Sequence, residues 1–225
     1  MIKRILLLPV LATALSVAAA EPVLKYDFTG EKIGVAGKYA SAVKWENASA
    51  PLIRLLGSNI RAAGFTKNTY QVVNDAKALH TDKGLTVFAE VRFNQPSVRA
   101  DGTKTYEMIL FKNNSFLLGR STNGLYFNLG LDGKFALKAR APMPPVGKFV
   151  KVGATVKSVS PEEHIYKIFI DGKIVTQGSC KGKLVPQNAP VMLFIGWGTQ
   201  WLMEGDVKSV AIYTQALTDE AMAKL

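Results

Sequence analysis

The stretch of this chain that decides the fold is Gly205-Asp-Val-Lys-Ser-Val-Ala-Ile-Tyr-Thr-Gln-Ala-Leu-Thr-Asp-Glu220. Its first half is rich in β-branched and aromatic side chains, which favour a strand. Thr218 then suits the N-cap of a helix, and Asp219 and Glu220 follow where the helix dipole favours negative charge. A helix that begins here has about two turns, too few to be stable alone, so we expect it to pack on a larger body.

Strand patterning dominates the sequence upstream of this stretch. Apolar and polar residues alternate over residues 85–93, 149–156 and 164–171, and a period of two is typical of a half-buried strand. Asp171-Gly172 separates two such runs, and Asp132-Gly133 is a second turn of the same kind. An Asp-Gly pair between alternating runs predicts a tight hairpin. The pattern therefore predicts an all-β domain, a sandwich or a barrel.

Several further strands are predicted from shorter runs of the same composition. They cover residues 23–28, 65–73, 106–111, 124–131, 135–139, 173–176 and 191–196. Residues 32–63 lack sustained alternation, so this segment is expected to hold long loops or short strands.

Residues 1–20 have the pattern of a signal peptide. Lys3 and Arg4 form a basic start, an apolar run follows, and Ala18-Ala-Ala20 offers small residues where a peptidase cuts. The apolar run is shorter than the roughly 20 residues that a membrane span needs, and a retained anchor is the alternative. We predict that residues 21–225 form a single domain without a membrane span. This mature chain is expected to be exported, that is secreted, periplasmic or at the cell surface.

Composition narrows the classes of partner. Cys180 is the only cysteine, which excludes an intrachain disulfide, and the isolated His80 and His164 lack the ligand spacing of a zinc site. The formal net charge of +11 would suit nucleic acid, an acidic glycan or an anionic surface. No nucleic-acid-binding module is recognisable, so nucleic acid is not predicted as a partner. A simply solvated surface and attraction to acidic glycans both remain open.

Five segments, in this order, resemble motifs of laminin-G-like domains in the concanavalin A-like lectin/glucanase superfamily. They are residues 65–79, 85–93, 147–155, 168–175 and 205–220. For example, Ile168-Phe-Ile-Asp-Gly-Lys-Ile-Val175 is similar to the family pattern Leu-Tyr-Val-Asp-Gly-x-Leu-Val. The resemblance implies a jelly-roll sandwich of two antiparallel sheets with a short C-terminal helix. It also implies a domain that binds glycans or proteins, although some relatives of this fold hydrolyse or lyse polysaccharides.

The resemblance also raises the question of a structural calcium ion. In family members an aspartate of the last strand often helps to hold calcium, and Lys208 stands at that place here. Calcium prefers carboxylate and carbonyl oxygen atoms, and a lysine ammonium would repel it. Asp27 and Asp206 remain the candidate ligands for such an ion.

Glycoside hydrolysis needs two carboxylates about 5–10 Å apart across a cleft. The Glu-x-Asp-x-x-Glu strand motif of endo-glucanases with this fold has no counterpart, since Glu90 has no acidic partner at Arg92 or Gln95. The sequence therefore predicts a non-catalytic protein. The alternative is a polysaccharide-active enzyme with a non-standard site that uses Glu90 or Glu107.

Aromatic side chains are the better indication of a ligand, because exposed rings stack on the apolar faces of sugars. Trp201 and Tyr106 are the candidate contacts, and we expect the Asn113-Asn114 turn to lie near Tyr106 at one sheet edge. Trp197 is interpreted either as core or as a further contact. The sequence thus favours a carbohydrate-binding, lectin-like module, with a protein-binding or adhesion domain of the same fold as the alternative.

Overall fold

The computed structural model describes residues 20–30, 34–36, 43–46, 52–55, 61–65, 70–73, 79–96, 102, 106–194 and 203–225. Within these residues the chain forms two antiparallel sheets and one helix. Strands are numbered in chain order. The predicted signal peptide lies outside the described residues, apart from Ala20. No helix in the described part of the chain is long and apolar enough to cross a membrane.

Sheet A is the larger of the two sheets. Along its main path the strands are β14 (Lys173–Lys181), β13 (Glu163–Ile170), β12 (Phe149–Ser160), β7 (Gly84–Phe93), β16 (Gly205–Tyr213), β1 (Leu24–Asp27) and β2 (Gly34–Ala36). Off this path, β5 (Arg61–Phe65) pairs with β16 and with β4 (Leu52–Leu55). The predicted tail strand is therefore central, since β16 pairs with β7 on one side and with β1 and β5 on the other.

Sheet B packs against sheet A. Its strands, in spatial order, are β11 (Lys134–Ala141), β10 (Gly124–Leu131), β9 (Phe116–Ser121), β8 (Glu107–Lys112), β15 (Val191–Leu193), β6 (Tyr70–Val73) and β3 (Val43–Glu46). Two strands of this order, β8 and β15, are far apart in sequence and adjacent in space. Between these two strands the chain passes through β12, β13 and β14 of sheet A and then returns to sheet B. A jelly roll requires such crossovers from one sheet to the other, and the predicted fold class is confirmed.

The two Asp-Gly turns have the predicted geometry. Asp171 and Gly172 have φ angles of 48° and 73°, and Asp132 and Gly133 have φ angles of 53° and 78°. Positive φ at both central residues is the requirement of a type I′ turn, whose twist matches that of the flanking strands. These turns connect β13 to β14 and β10 to β11.

The core lies between the two sheets and is built from the inward residues of each alternating run. In β7 these residues include Leu85, Val87 and Val91, all of them fully buried. A β-bulge at Lys208 in β16 lets Val207 and Val210 both face this core. The alternation read from the sequence is thus confirmed, and the opposite residues of the same strands form the outer faces of the sandwich.

The C-terminal helix packs on the outer face of sheet A, as expected from its shortness. Helix α1 (Asp219–Lys224) begins after Thr218, whose hydroxyl accepts a hydrogen bond from the Ala221 N–H. Met222 is buried against Phe88 and its neighbours on the sheet. It also occupies the space above Gly153, where a Cβ atom would lie 2.8 Å from the Met222 Cε. The helix therefore covers one part of this face.

One strand prediction was wrong, and one strand was not predicted. Residues 65–73 were predicted as one strand, whereas β5 ends at Phe65 in sheet A and β6 begins at Tyr70 in sheet B. Strand β9 was not predicted at all, because Arg120 interrupts its apolar positions, although that side chain is fully buried beside Glu107. By contrast, the alternative of short strands within residues 32–63 is confirmed by β2, β3 and β4.

Candidate functional site

The outer face of sheet B brings together an aromatic ring and hydrogen-bonding groups. In β10, Leu125 and Phe127 face the core, whereas Tyr126 points outward. The strand register places Arg140 of β11 opposite Tyr126, and Asn128 lies on the same outer face as Tyr126. Together with Tyr106, these residues are called the Tyr126 cluster below.

Arg140 is an exposed member of the cluster. Its guanidinium carbon lies 5.0 Å from the centre of the Tyr126 ring, which is within the range of a cation–π interaction. Its Nη1 donates to Asn128 Oδ1 at 3.4 Å and to the Ala139 carbonyl oxygen at 3.1 Å. Both of these bonds come from Nη1, so Nε and Nη2 remain available to a ligand.

Tyr126 is held flat on the sheet because a glycine lies beneath it. A Cβ atom at Gly119 of β9 would lie 2.8 Å from the Tyr126 hydroxyl oxygen and 2.9 Å from its Cζ. The ring is 4% exposed, and its hydroxyl has no hydrogen-bond partner within the described residues. A buried hydroxyl without a partner is costly, and its burial means that a ligand on the outer face would not reach it directly.

Burial raises the pKa of the Tyr126 hydroxyl well above its usual value, and the Arg140 guanidinium acts in the opposite direction. Smaller contributions from Tyr106 and Glu107 raise the pKa further. Tyr126 is therefore a neutral hydrogen-bonding group at physiological pH. The electrostatic contribution of Tyr106 also shows that its side chain lies near Tyr126, although the two are 20 residues apart in sequence.

An apolar surface continues from the cluster along the same outer face. Met108, Phe111 and Leu117 are buried together with Tyr126. Phe135 and Met192 pack against them and are partly exposed, and the Phe111 and Phe135 rings lie 6.2 Å apart. Apolar and aromatic groups beside a few polar ones are the usual composition of a small-molecule or sugar site.

Comparison with known proteins identifies the family. The sequence matches a laminin G family model, described as the concanavalin A-like lectin/glucanases superfamily, over residues 65–223. The chain belongs to this superfamily. A comparison with curated proteins finds no match.

Solved structures with a similar fold include bacterial toxin binding domains. The binding domain of botulinum neurotoxin DC in complex with SialylT is 12% identical, with a TM-score of 0.63, over 90% of this chain and 50% of that one. The same domain in complex with rat synaptotagmin II is 14% identical, with a TM-score of 0.63, over 90% and 50%. The binding domain of Paraclostridial Mosquitocidal Protein 1 is 9% identical, with a TM-score of 0.67, over 90% and 51%. This chain thus spans about half their length, and the likeness concerns the fold.

The structure brings together only some of the predicted contact residues of this superfamily member. Tyr106 is 43% exposed and lies just before β8, within electrostatic range of Tyr126. Asn113 and Asn114 form the turn after β8, at its other end, about 20 Å away for a strand of this length. Tyr106 and the asparagine turn therefore do not share one site. Tyr126, Asn128 and Arg140 were missed, and the outward positions of the hairpin around Asp132 were the only signal for them.

The two tryptophans of the tail, Trp197 and Trp201, lie outside the described residues. The residues that flank their segment are hydrogen bonded, since Met203 N–H donates to the Phe194 carbonyl oxygen at 3.1 Å. The next residue, Glu204, donates its N–H to Glu107 Oε1 at 3.2 Å. Of the flanking residues, Glu204 therefore lies beside the start of β8. A role of either tryptophan as a ligand contact stays a prediction.

Glu90 and Glu107, the carboxylates of the enzyme alternative, lie in different sheets. Glu107 is buried between the sheets and bonded to the Arg120 guanidinium at Nε (2.7 Å) and Nη2. Burial raises the pKa of Glu107, and the Arg120 charge and hydrogen bonds lower it. Glu90 lies on the outer face of sheet A, where its Oε1 is 2.6 Å from the Lys208 ammonium. Each carboxylate is therefore paired with a cation, and the two do not face one cleft.

Protein groups bond both candidate calcium ligands. Asp206 is fully buried, and its Oδ2 accepts from Arg92 Nε at 3.0 Å and Nη2 at 2.6 Å. Asp27 Oδ1 accepts from the Thr29 N–H at 2.9 Å and from its hydroxyl at 2.5 Å. The register places Asp27 opposite Ser209. Among the described residues there is no group of three or more His, Cys, Asp or Glu side chains suited to a metal ion, and the calcium ion stays a prediction.

Proposed function

We propose that the protein is an exported, non-catalytic, carbohydrate-binding module of the concanavalin A-like superfamily, and that its glycan contacts the Tyr126 cluster. One observation carries the proposal: the exposed Arg140 guanidinium lies over the Tyr126 ring and is bonded to Asn128 on a rigid sheet face. Sugars combine apolar C–H faces with dense hydroxyl groups. Aromatic surface beside fixed hydrogen-bond donors matches both features.

Each member of the cluster has a separate part in this proposal. Tyr106, which is 43% exposed, offers ring surface to a sugar face. Arg140 donates from Nε and Nη2 to ring or substituent oxygen atoms, and a carboxylate would accept both bonds at once. Because strands β9, β10 and β11 hold these groups in place, little ordering is needed on binding.

The similar binding domains support a binding function, and one of them is solved in complex with SialylT. The separation of Glu90 from Glu107, each bonded to a cation, supports the absence of catalysis. Incubation with a panel of polysaccharides is expected to release no reducing ends. Turnover that is lost in Glu90→Gln or Glu107→Gln would instead favour the enzyme alternative.

Glycan arrays followed by isothermal titration test the binding proposal directly. Arg140→Ala removes a charged donor, which is worth about 1.5–3 kcal/mol, so binding is expected to weaken by about tenfold to a hundredfold. Lys173→Ala is the matched control, because Lys173 is an exposed cation at the edge of sheet A. Absence of binding to every glycan, or equal weakening by both variants, would refute the proposal.

A protein-binding or adhesion domain is the second candidate. The observation that favours it is the likeness to the neurotoxin domain that is solved in complex with rat synaptotagmin II. Competition separates the two candidates. Binding to a protein receptor that excess sugar leaves unchanged would support adhesion, whereas displacement by sugar would support the lectin-like function.

Export is part of the same proposal and rests on the sequence of residues 1–20. Expression of the full chain with its natural start in a bacterial host is expected to give a periplasmic or secreted product. Mass spectrometry is expected to show a new N-terminus at about residue 21. Retention of residues 1–20 on a membrane-associated product would instead show an anchor.

A further inference from the structure

A concave surface lies on the outer face of sheet A, on the opposite side of the sandwich from the Tyr126 cluster. It is a groove of about 580 Å³ between helix α1 and strands β12 and β13. We call it the lysine groove and define it by Lys83, Lys157, Ile165, Lys167 and Leu217. Its volume is in the range of sites that take a small ligand or one to two sugar rings.

The strand register builds the floor of the lysine groove. Lys157 of β12 lies opposite Ile165 of β13, and Thr155 lies opposite Lys167. These four residues point to the outer face of the sheet, because their neighbours Val156 and Ile168 point into the core. Cationic and apolar groups therefore alternate on one surface.

The wall of the groove is fixed by a single threonine. The Thr86 hydroxyl donates to the Gln215 carbonyl oxygen at 2.7 Å and accepts from the Leu217 N–H at 2.9 Å. Thr86 itself is fully buried. The segment that leads into α1 is thereby held upright on the sheet, and the groove is preformed.

The charges in the groove are only partly neutralised. The Lys167 ammonium is bonded to both oxygen atoms of Asp219 at 2.7 Å. Lys83 and Lys157 are exposed and form no ion pair with any residue in the described part of the chain. Glu220 also lines the groove, and hydrogen bonds from its own backbone N–H and from Thr218 lower its pKa. Two unpaired ammonium groups are thus available to a ligand.

The lining indicates which anion would fit. None of the lining residues is aromatic, so bases of a nucleic acid would find no stacking surface. Ile165 is 40% exposed and, with Leu217, gives an apolar surface beside the ammonium groups. An acidic sugar combines an apolar ring face with a carboxylate or sulfate group, and it matches this alternation.

We propose that the lysine groove is a second binding site, which takes the sulfate or carboxylate groups of an acidic glycan between Lys83 and Lys157. The site is distinct from the Tyr126 cluster and does not depend on it. The net charge of the mature chain, +11 for the full sequence less Lys3 and Arg4 and therefore +9, would assist the approach of such a ligand. The ligand would then bridge β12, β13 and the turn before β7.

The proposal is tested by titrating the full mature chain with a sulfated heparin-type hexasaccharide, and with the same hexasaccharide after desulfation. Lys83→Gln/Lys157→Gln is expected to weaken binding of the sulfated probe by about tenfold and to reduce its salt dependence. Lys148→Gln/Lys173→Gln removes the same charge from exposed positions outside both the groove and the Tyr126 cluster and is the matched control. Equal weakening by both double variants would overturn the proposal, because net charge alone would then explain the attraction.

Two further measurements keep this proposal separate from the proposed function. Arg140→Ala is expected to bind the sulfated probe with the same affinity as the wild type, even if this variant no longer binds a neutral glycan. Methyl NMR compares Ile165 with Ile174, which is equally exposed at 40% on β14. The sulfated probe is expected to shift Ile165 and not Ile174. No shift of Ile165, or binding of inorganic sulfate as tight as that of the hexasaccharide, would overturn the site.

Discussion

Sheet B carries an arginine on each of its faces, and the two side chains have opposite surroundings. Arg120 points inward, is fully buried, and lies between Glu107 and the Phe93 ring, with its guanidinium carbon 4.0 Å from the ring centre. Arg140 points outward and is exposed over Tyr126. The difference between these two arginines is their burial, and burial determines what each charge can do in this fold. The buried Arg120–Glu107 pair links β8 to β9 within sheet B and reaches sheet A at the Phe93 ring. The exposed Arg140 guanidinium is available to a ligand.

The largest expected effect comes from breaking the inward pair. Arg120→Met leaves the Glu107 carboxylate buried without its partner, and such a loss typically costs about 3–5 kcal/mol. The Gln95 carbonyl oxygen, which accepts from Arg120 Nη2 at 2.7 Å, loses its donor as well. Urea unfolding followed by tryptophan fluorescence measures the change. A loss of unfolding free energy below about 1 kcal/mol would show that water replaces the guanidinium and that the pair contributes little to stability.

A smaller loss of stability is expected from a substitution at Gly119 of β9, which packs against Tyr126. A Cβ atom there would lie 2.5 Å from the Glu107 carbonyl oxygen and 2.8 Å from the Tyr126 hydroxyl oxygen. Gly119→Ala is therefore expected to cost about 1–3 kcal/mol through overpacking. It should also displace Tyr126 and weaken glycan binding. Unchanged stability together with unchanged binding would argue against the close packing of Tyr126 on β9.

The stability of the Arg120→Met variant is expected to depend on pH in a way that tests the state of Glu107. Burial raises the pKa of Glu107, and Arg120 lowers it, so removal of Arg120 raises the folded-state pKa further. A carboxyl group whose pKa is higher in the folded state destabilises the fold above that pKa, and the penalty disappears as the pH falls through it. The difference from wild type is therefore expected to shrink between about pH 7.5 and about pH 5. Urea unfolding at both values measures it, and a constant difference would mean that Glu107 does not titrate in this range.

The smallest effect is expected on the outward face. Arg140→Met removes an exposed guanidinium that bonds Asn128 at 3.4 Å, and surface changes of this kind are usually within about 0.5–1 kcal/mol. Unfolding under the same conditions as for Arg120→Met gives the direct comparison. Equal stability losses for the two arginines would mean that Arg140 is structural, and the proposed site would then lose its main donor.

Much of the fold was predictable because strand period and turn chemistry are local. The alternation in β7 and β12, the two Asp-Gly turns and the Thr218 cap are each visible in a few consecutive residues, and the structure confirms them. The failures were not local. Strand β9 was not recognised from the sequence, because the charge of its buried Arg120 is compensated by Glu107, 13 residues away.

The candidate site was less predictable, because a β-bulge determines it. With a two-residue turn at Asp132-Gly133, simple pairing would place Tyr126 opposite Ala139. A register shift between Leu129 and Gly130 places it opposite Arg140 instead. The shift occurs where Gly130 packs closely against the Asn114 backbone and donates its N–H to the Ser115 carbonyl oxygen at 2.7 Å. The asparagine turn thus has a structural contact with β10.

The class of fold, the tail strand with its capped helix, and Tyr106 as a candidate contact all follow from the sequence, because periodicity, turns and caps are encoded in neighbouring residues. Only the tertiary structure decided that Arg140 lies over Tyr126, that Arg120 is buried with Glu107, and that Lys83 and Lys157 border one groove. These juxtapositions depend on register and on packing between distant strands, and a shift of one residue in register reverses which side chains meet.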